Sequence, residues 1–389
     1  MSVVSKVETF ILTVPRTTPY LGPLGAGERV NARGYLVRRG NGTLYPTVDR
    51  SVLVRVTTAD GAVGWGETYG ICAPRATCEI INDLLAPELV GRDPQDVETI
   101  WDDLYGLMRV RGCGSGFHTD ALAALDIALW DLRARAAGQP LWALLGTRQR
   151  DSIAGYVSGL PAATVDEKVA MARTFAAQGH DAFKVHAVVS HDGIAEEMAA
   201  LRAALGEQVQ LMVDLHWKFD HAQALALAHG LLPSRLTFIE APLKPEDVAG
   251  LIALGADSPI PVAAGEEWAT DYVARLRLDG GTLAYVQPEM GHTGITQFLR
   301  IARLAARHGV QVAPHATIGG GIFMAASLHA SAVIDGLWRH EWQHSIFSRS
   351  VEMLDTDMTY AHDGYRLPTG PGLGAVPNAR FWDHTEAIA

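Results

Sequence analysis

The feature that most constrains the fold is an alternation of short apolar runs with helical stretches after Arg150. Each run is followed by roughly 15 to 20 residues of helical composition, and the pattern repeats to about residue 345. The apolar runs are Ser152–Val157, Ala182–Val185, Gln210–Leu215, Leu236–Ile239, Pro261–Ala264, Leu283–Val286, Val310–Ala313 and Gly336–Trp338. A helix between two strands returns the chain to the same end of the sheet, so parallel strands are predicted. Eight repeats without a GxGxxG turn favour an α/β fold with a closed TIM-like barrel over an open doubly wound sheet.

The first 136 residues have a mixed pattern and predict a separate α+β domain. Two β-branched runs, Val7–Val14 and Ser51–Thr58, are followed by amphipathic segments, and residues 119–137 have a strongly helical composition. The predicted domains are residues 1–136 and a barrel over residues 137–355. The Gly- and Pro-rich tail, residues 356–389, is expected to return to the first domain and complete it.

Composition excludes several classes of protein. The chain has 389 residues, of which 48% are hydrophobic and 19% charged, enough to bury a large core, and this excludes a disordered or disulfide-stapled chain. The net charge of −11 without a block of like charges argues against nucleic-acid or membrane binding. Three cysteines without CxxC spacing predict reduced thiols. With no signal sequence and no run of about 18 apolar residues, a cytoplasmic location is expected.

Ionisable residues follow the apolar runs at the point where each strand is expected to end. The chemistry of a barrel is found at this end of the strands, so these residues are the candidates for the site. They are Lys184 and His186, Asp214 and His216, Glu240, Glu266, Glu289, His315, and His340 with Glu341. Asp214, Glu240 and Glu266 come after three consecutive runs, each 26 residues from the next.

Three carboxylates from neighbouring strands repel one another in a half-buried space unless a cation lies between them. Ligation by oxygen alone, with room for water and substrate, suits Mg²⁺ better than zinc, which prefers His and Cys. The alternative is that each acid caps the helix that follows its strand. The regular spacing favours a site in which Asp214, Glu240 and Glu266 bind Mg²⁺.

Lys184 and His315 come from opposite sides of the predicted ring and could approach a substrate from its two faces. Removal of a proton beside a carboxylate needs a positioned base and a cation that spreads the enediolate charge. Lys184 would have to be partly neutral, and His186 with Mg²⁺ is expected to lower its pKa. Glu289 lies on the strand next to that of His315 and is expected to form a dyad with its imidazole.

These motifs together resemble the enolase superfamily, and within it the mandelate racemase subgroup. The matching segments are Lys184-Val-His186 for the family's KxK, Asp214, Glu240-Ala-Pro, Gly265-Glu266, Gln287-Pro-Glu289, Pro314-His315, the VGWGE at residues 63–67, the DIALWD at residues 126–131 and the PGLG at residues 371–374. The resemblance covers essentially the whole chain. It implies a capping domain over a modified (β/α)7β barrel, Mg²⁺ on the three acids, and removal of an α-proton from a carboxylate substrate.

The same resemblance implies roles for single residues. Lys184 would be one acid/base, His315 with Glu289 the opposite one, and Glu341 would hydrogen-bond the substrate carboxylate. The chain departs from the family where His186 replaces the second lysine of KxK and where Glu289 replaces an aspartate, and His216 occupies a variable position.

Relatives with two opposed acid/base groups are mostly acid-sugar dehydratases, so dehydration of an aldonic or aldaric acid to a 2-keto-3-deoxy acid is the favoured function. Racemisation, epimerisation and lactone cycloisomerisation begin with the same enolate and stay open. Lys184 and His315 argue against a barrel that only binds a sugar acid, because a pure binder has no use for two opposed proton-transfer groups. From the capping domain, Tyr20, Arg33, Tyr69 and Arg75 are expected to reach the substrate together with His186 and His216. Related enzymes are commonly homo-oligomers, and the same is expected here.

One motif predicts a different reaction. His340-Glu341-Trp-Gln-His344 spells HExxH, which on a helix presents two zinc ligands and a general base. Here it follows Asp335-Gly336 and indicates a strand entering a loop, and no glutamate lies between Glu352 and Glu386 to supply a third ligand. A zinc peptidase is therefore only a remote alternative.

Overall fold

A computed structural model describes residues 2–16, 24–112, 114–186, 193–316 and 319–388. The strands are Val4–Pro15 (β1), Tyr35–Val37 (β2), Leu44–Pro46 (β3), Val48–Thr58 (β4), Val63–Tyr69 (β5), Ser152–Ile153 (β6), Gly155–Ser158 (β7), Ala182–His186 (β8), Gln210–Asp214 (β9), Phe238–Glu240 (β10), Val262–Ala264 (β11), Tyr285–Val286 (β12), Gln311–Val312 (β13), His340–Trp342 (β14), Leu354–Thr356 (β15), Thr359–Ala361 (β16), Gly364–Arg366 (β17), Ala375–Pro377 (β18) and Thr385–Ile388 (β19). The α-helices are Pro74–Glu79 (α1), Ala86–Leu89 (α2), Val97–Leu107 (α3), Phe117–Ala136 (α4), Trp142–Leu145 (α5), Val165–Ala177 (α6), Ile194–Leu205 (α7), His221–Leu231 (α8), Val248–Asp257 (α9), Asp271–Leu278 (α10), Met290–Arg307 (α11), Ile322–Val333 (α12), His344–Glu352 (α13) and Ala379–Trp382 (α14). Ile80–Leu85 is a π-helical segment and Leu232–Ser234 a 3₁₀ turn.

Within the described ranges, no helix is long and apolar enough to cross a membrane.

The first sheet is antiparallel, with the strand order β19-β1-β4-β5, and helix α4 packs across β5. Two glycines of β5 permit this close approach. A Cβ at Gly64 would lie 2.2 Å from the carbonyl oxygen of Ala128, and one at Gly66 would lie 1.8 Å from that of Ala124. The alternating glycines of the VGWGE segment are therefore explained by backbone packing.

The second sheet has eight parallel strands in the order β13-β12-β11-β10-β9-β8-β7-β14. A parallel bridge between Val312 of β13 and Leu337, just before β14, joins its two ends. Glu341 N also donates to the Pro314 carbonyl oxygen at 3.1 Å. The sheet therefore closes, and the predicted TIM-like barrel with a separate capping domain is confirmed.

The sequence misplaced the eighth strand. It begins at His340 rather than Gly336, so His340 and Glu341 lie inside the strand and not after it. Gly336 has a φ of 71° and turns the chain, and Leu337 contributes only the single bridge to β13. The first predicted run is also divided, because Ile153 pairs antiparallel with Tyr365 of β17 before β7 begins.

The tail contacts both parts of the chain. β19 pairs with β1 of the first sheet, whereas β17 pairs with β6 beside the barrel. The buried carboxylate of Asp131 on α4 accepts hydrogen bonds from Trp65 N at 2.9 Å and Leu373 N at 2.8 Å, so the DIALWD and PGLG segments meet. The division at residue 136 stays a prediction.

A buried carboxylate joins the capping sheet to the barrel. Glu67, at the end of the VGWGE segment, accepts from Ile322 N at 2.9 Å and Phe323 N at 3.2 Å at the start of α12, and also from Gly320 N and Ser51 Oγ. Burial raises the pKa of Glu67 although these donors oppose the shift. A carboxylate at a helix N-terminus is also favoured by the helix dipole.

Candidate active site

The carboxyl ends of adjacent parallel strands bring the predicted residues to one rim. Asp214 closes β9 and Glu240 closes β10, and the two are partners in the parallel register. His186, the last residue of β8, is the other register partner of Asp214. Glu266 follows β11 after a glycine. The rim predicted from the apolar runs is therefore present.

The backbone turns sharply after two of these strands. His216, Trp217 and Ala241 have φ values of 48°, 54° and 44°, a left-handed conformation that is uncommon for residues other than glycine. Trp217 N donates to the Ala241 carbonyl oxygen at 2.7 Å, which ties the two turns together. Strained backbone of this kind is often found where side chains must be aimed at a site.

A cavity of about 250 Å³ lies over this rim, between the barrel and the capping segment that carries β2 and β3. Such a volume is slightly below the range of about 300 to 1,000 Å³ that is usual for ligand sites. It is lined by Thr43, Leu44, Tyr45, Tyr69, Ile71, His186, Asp214, His216, Trp217, Glu266, Glu267, His292 and His315.

Glu240, Glu266 and His315 each offer a ligand atom, and these atoms lie within 4.8 Å of one another. Glu266 Oε2 is buried without a hydrogen bond of good geometry from the described residues, although His315 Nε2 is 3.1 Å away. Burial raises the pKa of Glu240 to about 8, with Asp214 and Glu341 adding to the rise and Lys184 opposing it. Carboxylates that repel one another and leave an oxygen unpaired fit a hard divalent cation.

Asp214, the third predicted ligand, stands beside this cluster but is bonded to His216. Its Oδ2 is 2.9 Å from His216 Nδ1, and its Oδ1 accepts from His216 N at 2.9 Å. Burial alone would raise the pKa of Asp214, but His216 and Lys184 lower it below the usual range. Asp214 also lines the cavity, and its pairing with Glu240 across the sheet keeps it next to the converging carboxylates.

Lys184 is fully buried beneath the rim and does not line the cavity. Its Nζ lies 2.9 and 2.8 Å from the two carboxylate oxygens of Glu240 and 3.0 Å from Glu341 Oε1. Burial lowers the pKa of Lys184, but these carboxylates raise it well above its usual value. Without a metal ion, these carboxylates favour the ammonium form, and the partly neutral amine expected beside Mg²⁺ stays a prediction. The sequence did not show that Glu341 would contact Lys184.

His315 and Glu289 form a close pair at the wall of the cavity. Glu289 Oε2 is 2.6 Å from His315 Nδ1, and a parallel bridge joins their backbones. Burial lowers the pKa of His315, but Glu266, Glu341 and Glu289 raise it well above its usual value. With Nδ1 held by Glu289, Nε2 is the ring atom left for chemistry.

The other predicted barrel residues lie close by. His186 Nε2 is 3.0 Å from Ser158 Oγ, and burial lowers the pKa of His186 to about 3, so the ring is neutral. Glu341 is buried and bound to Lys184, to Ser158 Oγ and to Ala316 N, the last at 3.1 Å. It is not among the described residues that line the cavity, and its contact with a substrate carboxylate stays a prediction.

The four predicted residues of the capping domain have different outcomes. Tyr69 lines the cavity. Arg75 is exposed and forms an ion pair with Glu386 of β19, and Arg33 is exposed in a turn where its N donates to Asn31, so neither lines the cavity. Tyr20 lies outside the described residues.

The histidines of the HExxH segment do not form a metal site. His340 Nε2 is 2.7 Å from Ser327 Oγ, whereas His344 Nε2 is 3.1 Å from the Gly159 carbonyl oxygen. The segment is a strand followed by the first residue of α13, so the two rings do not share one helix face. The zinc peptidase alternative is wrong.

Sequence reasoning missed several cavity residues. Tyr45 and Thr43 lie in a short hairpin of the capping domain that carries no motif. His292 follows the sixth barrel strand by a few residues, as Glu289 does, so extending the search for polar residues by one turn would have found it. Ser158, buried beneath the rim, ends β7 and would have been found the same way.

Comparison with known families agrees with the fold. Residues 167–381 match the family described as enolase C-terminal domain-like, and residues 45–146 match the mandelate racemase / muconate lactonizing enzyme N-terminal domain. The chain therefore belongs to the enolase superfamily, in the mandelate racemase subgroup.

Individual relatives include enzymes of two activities. The chain is 31% identical over 342 residues to D-galactarolactone cycloisomerase of Agrobacterium fabrum, covering 84% of this chain and 89% of the relative. It is 33% identical over 352 residues to D-galactonate dehydratase of Ralstonia nicotianae, covering 85% and 90%.

Solved structures match over the whole chain. A member of the enolase superfamily from Agrobacterium tumefaciens is 50% identical, with a TM-score of 0.97 and 100% of both chains covered. A racemase from Streptomyces coelicolor A3(2) with bound magnesium is 25% identical, with a TM-score of 0.84 and coverage of 99% and 100%.

Proposed function

We propose that the protein is a Mg²⁺-dependent dehydratase of a sugar acid, aldonic or aldaric, and that it forms a 2-keto-3-deoxy acid. The observation that carries the proposal is the His315–Glu289 pair at the wall of a cavity that Glu266 also lines, with the carboxylate of Glu240 converging on Glu266 and His315. The 33% identity to a galactonate dehydratase supports the sugar-acid class.

His315 is proposed as the group that takes the α-proton. This step needs a neutral imidazole, and a cation held by Glu266 would offset part of the negative charge that raises the pKa of His315. With Nδ1–H donating to Glu289, Nε2 then carries the lone pair that accepts a proton from the substrate. A Mg²⁺ ion held by Glu240, Glu266 and Asp214 would bind the substrate carboxylate and offset the charge of the enediolate. His315 can then return the proton to the departing β-hydroxyl, which leaves as water.

Lys184 and Glu341 are proposed to support the site from below. The Lys184 ammonium bridges Glu240 and Glu341, and Glu341 also accepts from Ala316 N, next to His315. This network fixes the carboxylate of Glu240 and the backbone that carries the imidazole. Preorganised charges of this kind contribute more to catalysis than flexible ones because they need no rearrangement during the reaction.

Lactone cycloisomerisation is the second candidate, and the position of Lys184 favours it. Elimination of a hydroxyl needs an acid, whereas elimination that opens a lactone ring releases a carboxylate, which needs none. Because Lys184 is not among the described residues that line the cavity, His315 would have to supply this acid as well as the base. The 31% identity to a galactarolactone cycloisomerase agrees with this alternative.

The test is a panel of aldonic acids, aldaric acids and their lactones incubated with the protein and Mg²⁺ in deuterated buffer. NMR follows exchange of the α-proton, and semicarbazide detects a keto product. We expect exchange that EDTA abolishes and Mg²⁺ restores, and that His315→Asn removes. Keto product from an open-chain acid supports the dehydratase, and product from a lactone alone supports the cycloisomerase. Absence of both exchange and keto product with every compound of the panel would refute the proposal.

A further inference from the structure

A second histidine–carboxylate pair lies in the wall of the same cavity. His292 Nδ1 is 2.6 Å from Asp120 Oδ1, and one face of the ring lies on Tyr69 with the ring centroids 4.4 Å apart. His292 lines the cavity and its side chain is 31% exposed, whereas that of Asp120 is only 9% exposed. The pair joins the capping helix α4 to the barrel helix α11.

The backbone of α11 explains why these two residues meet. Gly294 has a φ of 62° and interrupts the helix, and a Cβ there would lie 2.7 Å from Asp126 Oδ2 and 3.1 Å from Ala123 Cα. A glycine is therefore required for α11 to approach α4. Thr296 N donates to Asp126 Oδ2 at 2.9 Å, which holds the next turn against α4 in the same way.

We propose that His292, held by Asp120, contacts the substrate and selects among sugar acids by binding their hydroxyl groups on the capping side of the cavity. The inference rests on the proposed function and deepens it. Because Asp120 engages Nδ1, Nε2 is the ring atom that remains for a ligand, and the described residues offer it no other protein partner. A hydroxyl both donates and accepts, so it can bind Nε2 whether or not that nitrogen carries a proton.

The surroundings suit a hydroxyl better than a second carboxylate. Among the described residues that line the cavity there is no lysine or arginine, while Asp214, Glu266 and Glu267 are acidic. A cation on the rim would be occupied with the reacting carboxylate. A ring fixed by Asp120 and Tyr69 also loses little conformational freedom when it binds, which strengthens recognition.

The experiment measures kcat and KM for α-proton exchange with hexonic acids that differ in configuration at the hydroxyl-bearing carbons beyond C3. His292→Phe removes the hydrogen bond and keeps an aromatic ring against Tyr69. We expect KM for the preferred acid to rise about tenfold, the effect of one lost hydrogen bond at the upper end of the usual range. The rate at saturation should stay within about threefold, because His315 is untouched.

Two further variants separate recognition from structure. Asp120→Ala should raise KM in the same direction, and combined with His292→Phe it should add nothing, because Asp120 acts through His292. His308→Phe is the matched control, since His308 ends the same helix and pairs with Asp279 at 3.3 Å. Its KM is expected to equal that of the wild type. Thermal unfolding of each variant shows whether it is folded, and His292→Leu, which also removes the hydrogen bond, is used if the phenylalanine variant is not folded.

The outcomes distinguish the two proposals. An unchanged KM and unchanged preference among the acids in folded His292 variants would overturn this inference while the wild type still exchanges the proton. A fall in kcat alone, with KM unchanged, would overturn it as well, because it would place His292 in the chemical step. Absence of both exchange and keto product in the wild type refutes the proposed function itself.

Discussion

Replacement of Glu289 by glutamine tests the orientation of the proposed base. Glu289 is buried, and its two oxygens have different partners: Oε1 accepts from Gly291 N at 3.0 Å and caps α11, and Oε2 lies 2.6 Å from His315 Nδ1. Glutamine has one oxygen. If that oxygen keeps the cap, the amide NH₂ faces His315, and Nδ1 must accept instead of donate. The imidazole proton then moves to Nε2, the atom that should take the proton of the substrate.

The expected loss is large because the wrong tautomer cannot act as a base. A carboxylate-to-amide change in a histidine pair of this kind lowers kcat by about 10⁴-fold in the serine protease triad, and we expect a loss of at least about 10³-fold here. The cost in folding stability should be about 1.5 to 3 kcal/mol, that of one hydrogen bond to a charged group. The assay is α-proton exchange followed by NMR, with thermal unfolding in parallel and Asp279→Asn at the surface pair as the control. A rate within about threefold of the wild type would show that Glu289 does not set the tautomer.

Three more predictions follow from buried charges. Lys184→Met should abolish exchange and destabilise the metal-free protein by about 3 to 5 kcal/mol, because Glu240 and Glu341 lose their shared cation. Unfolding in denaturant with EDTA measures the loss of stability, and an unchanged unfolding midpoint would contradict the prediction. Glu240→Gln should weaken Mg²⁺ binding in calorimetry, and an affinity equal to that of the wild type would remove Glu240 from the metal site. Burial raises the pKa of Asp126 to about 7. Between about pH 4 and pH 7, Asp126 is therefore protonated in the folded protein but ionised in the unfolded chain, so the free energy of unfolding falls as pH rises through that window. Asp126→Asn, which can still bond Thr296, should remove this part of the pH dependence of thermal unfolding, and an identical pH profile would show that Asp126 is ionised in the folded state.

Much of the barrel followed from the sequence because its determinants are local. An apolar run followed by a helix specifies a parallel crossover, and the residue after each run then lies at the carboxyl end of the sheet. This placed Asp214, Glu240 and Glu266 on one rim, and it placed Glu289 beside His315. The eighth strand was misplaced because its apolar signal is split by a turn at Gly336.

The tertiary structure decided which of these residues touch. The partners of Lys184 come from β10 and β14, and three carboxylate oxygens from these two distant segments surround its Nζ and raise its pKa. Arg75, which looked suited to an anionic substrate, instead pairs with Glu386 because β19 returns beside β1.

The sequence by itself determined the order of the barrel strands and the ionisable residues at their ends, because both depend on the local alternation of apolar runs with helical stretches. Which residues line the cavity between the capping domain and the barrel was decided only by the tertiary structure. Asp120 and His292 are separated by 172 residues, and they meet because Gly294 lets α11 press against α4. A contact of this kind depends on the packing of two helices, and no local pattern of residues encodes it.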